Sequence, residues 1–270
     1  MTNHNSHIVL RAEELTIGYS TKKGNTVIAN HVNFDLCKGQ LIGLVGANGI
    51  GKSTLLRTLT KVQPAISGSI YLNEQRINEI DNVELAKMMS IVLTEPIASK
   101  NLSVYEVIAL GRQPYTNWVG NLSAEDHEVI NNAILLTNTD AIKHKKCYEL
   151  SDGQLQKVMI ARALAQETDL IILDEPTTHL DMYHKAFILN LLKQLTRETN
   201  KTILFSSHEI DLAIQLCDSM IVMTGDNTTI DEPCNLIAQG VFDDLFPKNL
   251  ITFDPKIGSF RINNKSNNEY

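Results

Sequence analysis

One nine-residue stretch predicts the architecture around it: Gly46-Ala47-Asn48-Gly49-Ile50-Gly51-Lys52-Ser53-Thr54. It fills every fixed position of the pattern G-x-x-x-x-G-K-[S/T], in which a glycine-rich turn wraps a phosphate. The apolar run 41–45 before it predicts a buried strand, and the spacing of leucines after it predicts a helix over 52–61. A helix that begins at such a turn points backbone N–H groups and the positive end of its dipole at one place. The stretch therefore predicts a phosphate-binding site.

The polar side chains of this stretch suit the phosphates of a nucleotide. The Lys52 ammonium can reach the β- and γ-phosphates, and the Ser53 hydroxyl is placed to bind Mg²⁺. Glycines let the backbone approach the phosphates without Cβ clashes. We therefore expect residues 46–54 to bind the nucleotide, with Ser53 as one ligand of the magnesium ion.

Composition narrows the class of protein. The chain has 270 residues, of which 43% are hydrophobic, and its formal net charge is −7. Such a charge argues against a nucleic-acid partner held by bulk positive charge. Residues 1–7 lack the basic and apolar parts of a signal peptide, and no apolar run approaches the roughly 18 residues of a membrane helix. The four cysteines have no metal-binding spacing. We expect a soluble intracellular protein with no metal other than nucleotide-bound Mg²⁺.

The pattern of apolar residues changes along the chain. The first part is rich in predicted strands, at 8–19, 26–36 and 70–72, with one long helix. Residues 95–165 then form a predicted helical insert. From 169 to 224 strands and helices alternate, which indicates a layered α/β sheet.

These changes predict the division of the chain. We expect one nucleotide-binding domain over 8–250, with a helical subdomain at about 95–165, followed by a C-terminal extension over 251–270. A late strand is predicted at 258–262, and the polar residues 263–270 predict a disordered end.

A second group of candidate residues lies at a strand end. Residues 170–173 are apolar and predict a buried strand, which Asp174 and Glu175 follow. A carboxylate that faces the phosphate loop can hold Mg²⁺ through its water shell, which assigns Asp174 to the metal. Glu175 can polarise a water molecule for attack on the γ-phosphate. His208 follows the predicted strand 202–206 at the same edge and can orient that water.

A third motif precedes a predicted helix: Leu150-Ser151-Asp152-Gly153-Gln154, which resembles the LSGGQ signature of ABC ATPases. Further motifs of that family occur in the family's order. They are the aromatic residue Tyr19, which in the family stacks on adenine, the Walker A loop at 46–54, the Walker B strand at 170–175, the D-loop aspartate Asp181 and the switch histidine His208. The chain therefore resembles ABC ATPases from Tyr19 to His208.

The resemblance implies a fold and a mechanism. The fold is α/β, a P-loop NTPase of the ABC type, with a mixed sheet core, an antiparallel β subdomain and a helical subdomain. Two copies pair head to tail, so that ATP and Mg²⁺ lie between Walker A of one copy and the signature of the other. Glu175 and His208 are then the catalytic residues. The signature residues, which act on the nucleotide of the partner copy, are Ser151, Asp152, Gly153 and Gln154.

Two positions depart from the family pattern. Asp152 stands where the signature has glycine, and a carboxylate close to phosphates costs free energy. Because acids are favoured at helix starts, we expect Asp152 to turn away from the nucleotide and to cap the helix 153–165. The Q-loop glutamine, which touches Mg²⁺ in the family, is replaced by Thr94, followed by Glu95. Either residue could supply an oxygen ligand, and reach and charge favour Glu95.

The surroundings of the motifs favour an importer subunit. One cassette without a membrane span implies separate permease subunits, and Lys52 and Ser151 are too close in sequence for the coiled-coil insertion of DNA-repair members. The stretches 104–115 and 173–181 are similar to ATP-binding subunits for iron-siderophore, haem and cobalamin uptake. Trp118 and Tyr115 would lie in the helical insert. Their side chains would either face the permease or pack the loop onto the insert.

The resemblance thus implies an ATPase that powers such an importer as a peripheral subunit at the cytoplasmic face of the membrane. Its partners would be a second copy, integral membrane permease subunits and, indirectly, a solute-binding protein, with no nucleic acid. Two alternatives remain open: an ATPase subunit for another solute, such as an amino acid, a metal ion or a lipid, and an ABC ATPase outside transport. A P-loop kinase or GTPase is excluded by the signature and by the lack of a guanine-reading N-K-x-D motif.

Overall fold

The computed structural model describes residues 7–22, 24–93, 100–117, 120–225, 227–247 and 249–263. The strands are β1 (Ile8–Thr21), β2 (Gly24–Cys37), β3 (Leu41–Gly46), β4 (Ser67–Leu72), β5 (Gln75–Arg76), β6 (Met89–Val92), β7 (Leu170–Leu173), β8 (Thr202–Ser206), β9 (Ser219–Met223), β10 (Thr228–Asp231), β11 (Ile251–Asp254) and β12 (Ser259–Ile262). The α-helices are α1 (Lys52–Leu59), α2 (Asn82–Met88), α3 (Val104–Ala109), α4 (Ala124–Leu136), α5 (Asp152–Ala165), α6 (Met182–Thr199), α7 (Ile210–Leu216) and α8 (Pro233–Ala238). Short 3₁₀ helices lie at Ile77–Glu79, Leu110–Tyr115, Asp140–Ile142, Cys147–Glu149 and Val241–Asp244.

The strands form a central sheet and an antiparallel sheet. The central sheet has the order β10-β9-β3-β8-β7-β6. All of its pairs are parallel except that of β10 with β9. The antiparallel sheet has the order β2-β1-β4-β5, and β11 pairs with β12 in a separate hairpin. A mixed sheet core, an antiparallel sheet and a layer of helices confirm the predicted fold class.

The strand β3 shows why the centre of the sheet is apolar throughout. All of its residues are buried, because the sheet is covered on both faces. Leu41 and Val45 belong to the core shared with the helices, whereas Ile42 and Leu44 belong to the core shared with the antiparallel sheet. This alternation follows from the two-residue period of a strand. A run with no polar position is therefore what a central strand of this fold requires.

Parallel pairing places three functional segments at one edge of the sheet. The loop 47–51 follows β3, Asp174 follows β7, and His208 lies just beyond β8. β7 ends beside β8, with Leu173 opposite Phe205. Because the strands run in the same direction, their carboxyl ends meet, and a site forms there.

A buried ion pair fixes the layer of helices to the end of α5. The Arg112 side chain is only 4% exposed. Its guanidinium forms ion pairs with the carboxylates of Asp126 and Glu167, each at 2.7 Å. Hydrogen bonds from Ser123 and from Arg112 hold the pKa of the Asp126 carboxyl below its usual range. The Tyr115 ring covers the guanidinium at 4.1 Å, so Tyr115 packs onto the insert and stays partly exposed. Trp118 lies outside the described residues.

Some predicted elements end at different residues. The helix expected over 52–61 ends at Leu59, because Lys61 has a φ of +60°, which a right-handed helix does not contain. The elements α2, β10, α8 and β11 were not predicted, since each is too short to show a clear period. No helix in the described ranges is long and apolar enough to cross a membrane.

The late strand predicted at 258–262 is present as β12. It pairs with β11, so that Phe253 and Phe260 lie 5.1 Å apart between ring centres, and Phe242 stacks on Phe253 at 5.0 Å. These rings join the hairpin to the helical side of the core. Disorder is predicted for residues 263–270. Of these, Asn263 is described, and residues 264–270 lie outside the described residues. The proposed domain boundary at 250 stays a prediction.

Candidate active site

The phosphate loop joins the end of β3 to the start of α1. Gly51 has a φ of +114°, and a Cβ there would lie 2.3 Å from a methyl carbon of Ile28. Both the backbone conformation and the available space therefore require glycine. Gly51 is also the N-cap residue of α1, and no side chain caps the first N–H groups of that helix. Those groups are available to an anion such as a phosphate.

Lys52 lies buried beside the loop, with 5% of its surface exposed. Its ammonium donates to the carbonyl oxygen of Gly46 at 2.9 Å and of Ala47 at 3.2 Å. Burial lowers the pKa of this ammonium, and the carboxylates of Glu175 and Asp174 oppose the effect. A cation held at the loop in this way is placed to bind phosphate oxygens.

The buried Asp174 carboxylate lies directly against the phosphate loop. The Ser53 hydroxyl donates to its Oδ1 at 3.2 Å, and the Ser206 hydroxyl donates to the same oxygen at 2.7 Å. The described residues contain no group of three or more His, Cys, Asp or Glu side chains that could hold a metal. One carboxylate beside one hydroxyl suits Mg²⁺, which takes few protein ligands and completes its shell with phosphates and water. Ser53 and Asp174 therefore fit the ion assigned to them.

The Glu175 carboxylate is held on both of its oxygens. His208 Nε2 donates to Oε1 at 2.7 Å, and the Thr178 hydroxyl donates to Oε2 at 3.0 Å. The backbone N–H of Glu175 donates to the Ser206 hydroxyl at 2.9 Å. The strand pattern predicts Glu175 and His208 at the same edge of the sheet, and the structure brings them into direct contact.

The backbone of Glu175 is strained. Its φ is +48°, in the left-handed region that residues other than glycine seldom occupy. Such a conformation costs on the order of 1–3 kcal/mol and persists only where the surroundings impose it. The contacts with Ser206, Thr178 and His208 impose it here. In this conformation the Glu175 carboxylate contacts His208.

A cleft of about 490 Å³ lies between these groups. This volume is in the range of small-molecule sites. Its lining consists of Tyr19, Ile28, Asn48, Gly49, Gly51, Lys52, Ser53, Thr54, Glu175 and His208. The Tyr19 ring is 47% exposed, and its hydroxyl lies 3.1 Å from the Thr54 hydroxyl. The structure thus gathers the loop, Tyr19 and the Glu175–His208 pair around one space.

The signature lies elsewhere on the same chain. Among the described residues that line the cleft, none comes from 151–154, and Asp181 is also absent. Ser151 and Gln154 form a capping box at the start of α5, in which each side chain bonds the backbone N–H of the other. Asp181 caps α6 by accepting the backbone N–H of His184 at 2.9 Å. The signature and the cleft therefore form separate surfaces.

The expectation that Asp152 caps the signature helix is wrong. The cap is Ser151, whose φ of −70° and ψ of 160° are the extended values of an N-cap residue. Asp152 is already the first helical residue and is exposed. Its carboxylate still lies in the first turn, where the helix dipole favours negative charge.

Three side chains at the site were not identified from the sequence: Ser206, Thr178 and Ile28. Ser206 had a usable signal, since it closes the strand beside the one that carries Asp174. Ile28 had none, because an apolar residue in a strand is ordinary core. Thr94 and Glu95 lie outside the described residues, so the magnesium ligand proposed at the Q-loop stays a prediction.

Comparisons with known proteins agree with this geometry. A sequence profile of the ABC transporter family matches residues 29–178. The iron(3+)-hydroxamate import ATP-binding protein of Bacillus subtilis is 38% identical over 214 residues, which cover 79% of this chain and 78% of that protein. The achromobactin transport ATP-binding protein of Dickeya dadantii is 36% identical over 214 residues, with 79% and 78% covered.

A solved structure of similar fold is a dimeric bacterial ABC transporter cassette. Its TM-score is 0.71 at 25% identity, and the match covers 83% of this chain and 98% of the cassette. The similarity of fold therefore covers most of this chain and nearly all of the cassette.

We predict that Ser206→Ala lowers the free energy of unfolding by about 1–3 kcal/mol, because it leaves the Glu175 N–H and the Asp174 carboxylate without their shared partner. Urea denaturation measures the loss. The matched control is Ser219→Ala in the same sheet, since the buried Ser219 hydroxyl has no partner among the described residues. The control should change stability by less than about 0.5 kcal/mol. Equal losses in the two variants would contradict the role of Ser206.

Proposed function

The chain belongs to the ABC transporter family as an ATP-hydrolysing subunit, and we propose that it powers the import of a ferric siderophore through separate membrane subunits. The observation that carries the proposal is the match over 214 residues to two subunits named for iron(3+)-hydroxamate import and achromobactin transport. Haem and cobalamin are the related cargoes that the experiment below distinguishes.

The nucleotide is bound by the residues of the cleft. The backbone N–H groups at the start of α1 and the Lys52 ammonium hold the phosphates, and the exposed Tyr19 ring offers its face to the adenine. Ser53 and Asp174 would hold Mg²⁺, which when bound would neutralise charge on the phosphates. Gly46, Ala47, Asn48, Gly49, Ile50, Gly51 and Thr54 complete the loop.

Hydrolysis depends on the Glu175–His208 pair. As water attacks the γ-phosphorus, a new P–O bond forms, the bond to the β-phosphate oxygen breaks, and Glu175 accepts the proton of the water. His208 holds the Glu175 carboxylate at 2.7 Å and orients it towards the cleft. The Thr178 hydroxyl fixes the other carboxylate oxygen. The general base is thus aligned before the nucleotide arrives.

A second copy of the chain completes the site. The Ser151 hydroxyl accepts the Gln154 N–H, which leaves its own proton free to donate outward to a phosphate of a partner copy. Next to Asp181, the side chains of Met182 and Tyr183 are 68% and 74% exposed, an apolar surface that a partner copy would cover. The cassette of similar fold is dimeric. These features support a head-to-tail dimer with two composite sites.

The remaining partners follow from the importer role. We infer that two permease subunits span the membrane, that the dimer binds them as a peripheral complex at the cytoplasmic face, and that a solute-binding protein acts on their outer side. The relatives that support this assignment are named as the ATP-binding components of import or transport systems.

We predict that Glu175→Gln binds ATP but hydrolyses it at least about 100-fold more slowly, because an amide cannot accept the proton of the attacking water. With Mg²⁺ and ATP the variant should accumulate as a dimer on gel filtration. Phosphate release measures hydrolysis, and Glu125→Gln, a change at an exposed residue, is the control. A variant that turns over at the rate of the unmodified chain would contradict the role of Glu175.

Uptake in cells tests the transport role. In the organism that encodes the chain, we replace the gene with a Lys52→Ala allele, which should abolish nucleotide binding because the loop loses its cation. Uptake of radiolabelled iron as a ferric hydroxamate should fall to background, while the exposed Lys22→Ala control retains it. Unchanged uptake of iron as a ferric hydroxamate would contradict the assignment to siderophores. A loss of uptake that affects only haem or only cobalamin would contradict it as well.

A further inference from the structure

The first turn of α6 carries two adjacent side chains that contact different functional segments. His184 contacts the signature and the D-loop. Its Nδ1 lies 2.9 Å from each carboxylate oxygen of Asp181, and its Cδ2 would lie 2.9 Å from a Cβ placed on Gly153. The signature helix and Asp181 therefore meet at one imidazole ring.

Lys185 contacts the segment on the other side. Its ammonium forms an ion pair with Glu209 Oε1 at 2.5 Å, and both side chains are about a quarter exposed, at 24% and 26%. Such partial burial shields the pair from salt and strengthens it relative to a surface pair. Glu209 directly follows His208 in the chain, and its backbone N–H donates to the Ser207 hydroxyl.

The contacts form a continuous path within one chain. The path runs from the signature through His184 to the first turn of α6, then through Lys185 and Glu209 to His208 and Glu175. Because His184 and Lys185 are adjacent in one helical turn, a shift at the signature would also move the Lys185 end of that turn.

We propose that Lys185 is a positioning residue for ATP hydrolysis. Its ion pair with Glu209 holds the Glu175–His208 pair in register with the turn that contacts the signature. When the signature closes on the nucleotide of a second copy, the same turn aligns the hydrolytic pair of its own chain. The proposal rests on the dimer and on the roles of Glu175 and His208 proposed above.

The chain contains a matched control for a purely structural ion pair. Lys193 lies on α6 as well and forms an ion pair with Asp218, with 15% and 38% of the two side chains exposed. Asp218 lies beyond the far end of α7, and its other oxygen accepts the Leu41 N–H at 2.8 Å. The two ion pairs therefore connect the same helix to opposite ends of the α7 segment, and only that of Lys185 adjoins His208.

The test compares purified full-length Lys185→Met and Lys193→Met. We expect Lys185→Met to lower kcat for ATP at least about tenfold with KM changed less than about twofold, because the reacting groups are misaligned while the nucleotide-binding loop is intact. Lys193→Met should keep kcat within about twofold, although both variants lose stability in urea. Glu209→Gln should reproduce the loss, and the reversed pair Lys185→Glu with Glu209→Lys should recover it.

The same measurements can overturn the proposal. A normal kcat in Lys185→Met, an equal fall in Lys193→Met, or no recovery in the reversed pair would show that the contact is only structural. The assay follows hydrolysis by the purified chain, so its result does not depend on which solute is imported. A failure of the proposed general base would appear separately, as normal turnover in Glu175→Gln.

Discussion

The Ser206 hydroxyl joins the two acidic residues on which the site depends. It donates to the Asp174 carboxylate and accepts the backbone N–H of Glu175, each within 2.9 Å. This contact is possible only because β7 and β8 are parallel neighbours that end side by side. The third neighbour, β3, ends at the same edge and delivers the phosphate loop. One constraint of sheet topology thus brings together residues that are far apart in the chain.

The cleft and the signature lie on two separate surfaces of the molecule. The cleft is lined by the phosphate loop and the Glu175–His208 pair, and the Asp174 carboxylate lies against the loop at Ser53. The signature instead lies at the start of α5, and the buried Arg112 side chain ties the other end of that helix to α4. Separation of the two surfaces in one chain agrees with the proposed head-to-tail dimer, in which the signature of one copy completes the cleft of the other. A signature serine that also caps its helix has its hydroxyl oxygen held at the start of α5 by the Gln154 N–H.

The parts of the structure that local sequence patterns encode agree with the prediction from the sequence. The phosphate loop, the apolar strand before Asp174 and the edge that holds His208 depend on residues close together in sequence or on strand direction. The identity of the helix cap was missed, because both Ser151 and Asp152 are favourable cap residues and only the backbone angles decide between them. Contacts such as Ile28 against Gly51 could not be predicted, since they join an ordinary strand residue to a distant turn. The short elements β10, α8 and β11 are stabilised by tertiary packing and carry little periodic signal.

The central claim is that each hydrolytic site is built from two copies of the chain, and a mixing experiment tests it most directly. One variant carries Lys52→Ala and lacks a working phosphate loop. The other carries Ser151→Asp, which keeps a good helix cap but sets a negative charge against the phosphate. Each variant alone should be inactive, and an equimolar mixture should recover about a quarter of normal turnover, because half of the dimers then contain one intact composite site. A mixture that stays inactive would show that the loop and the signature do not complete each other across a dimer.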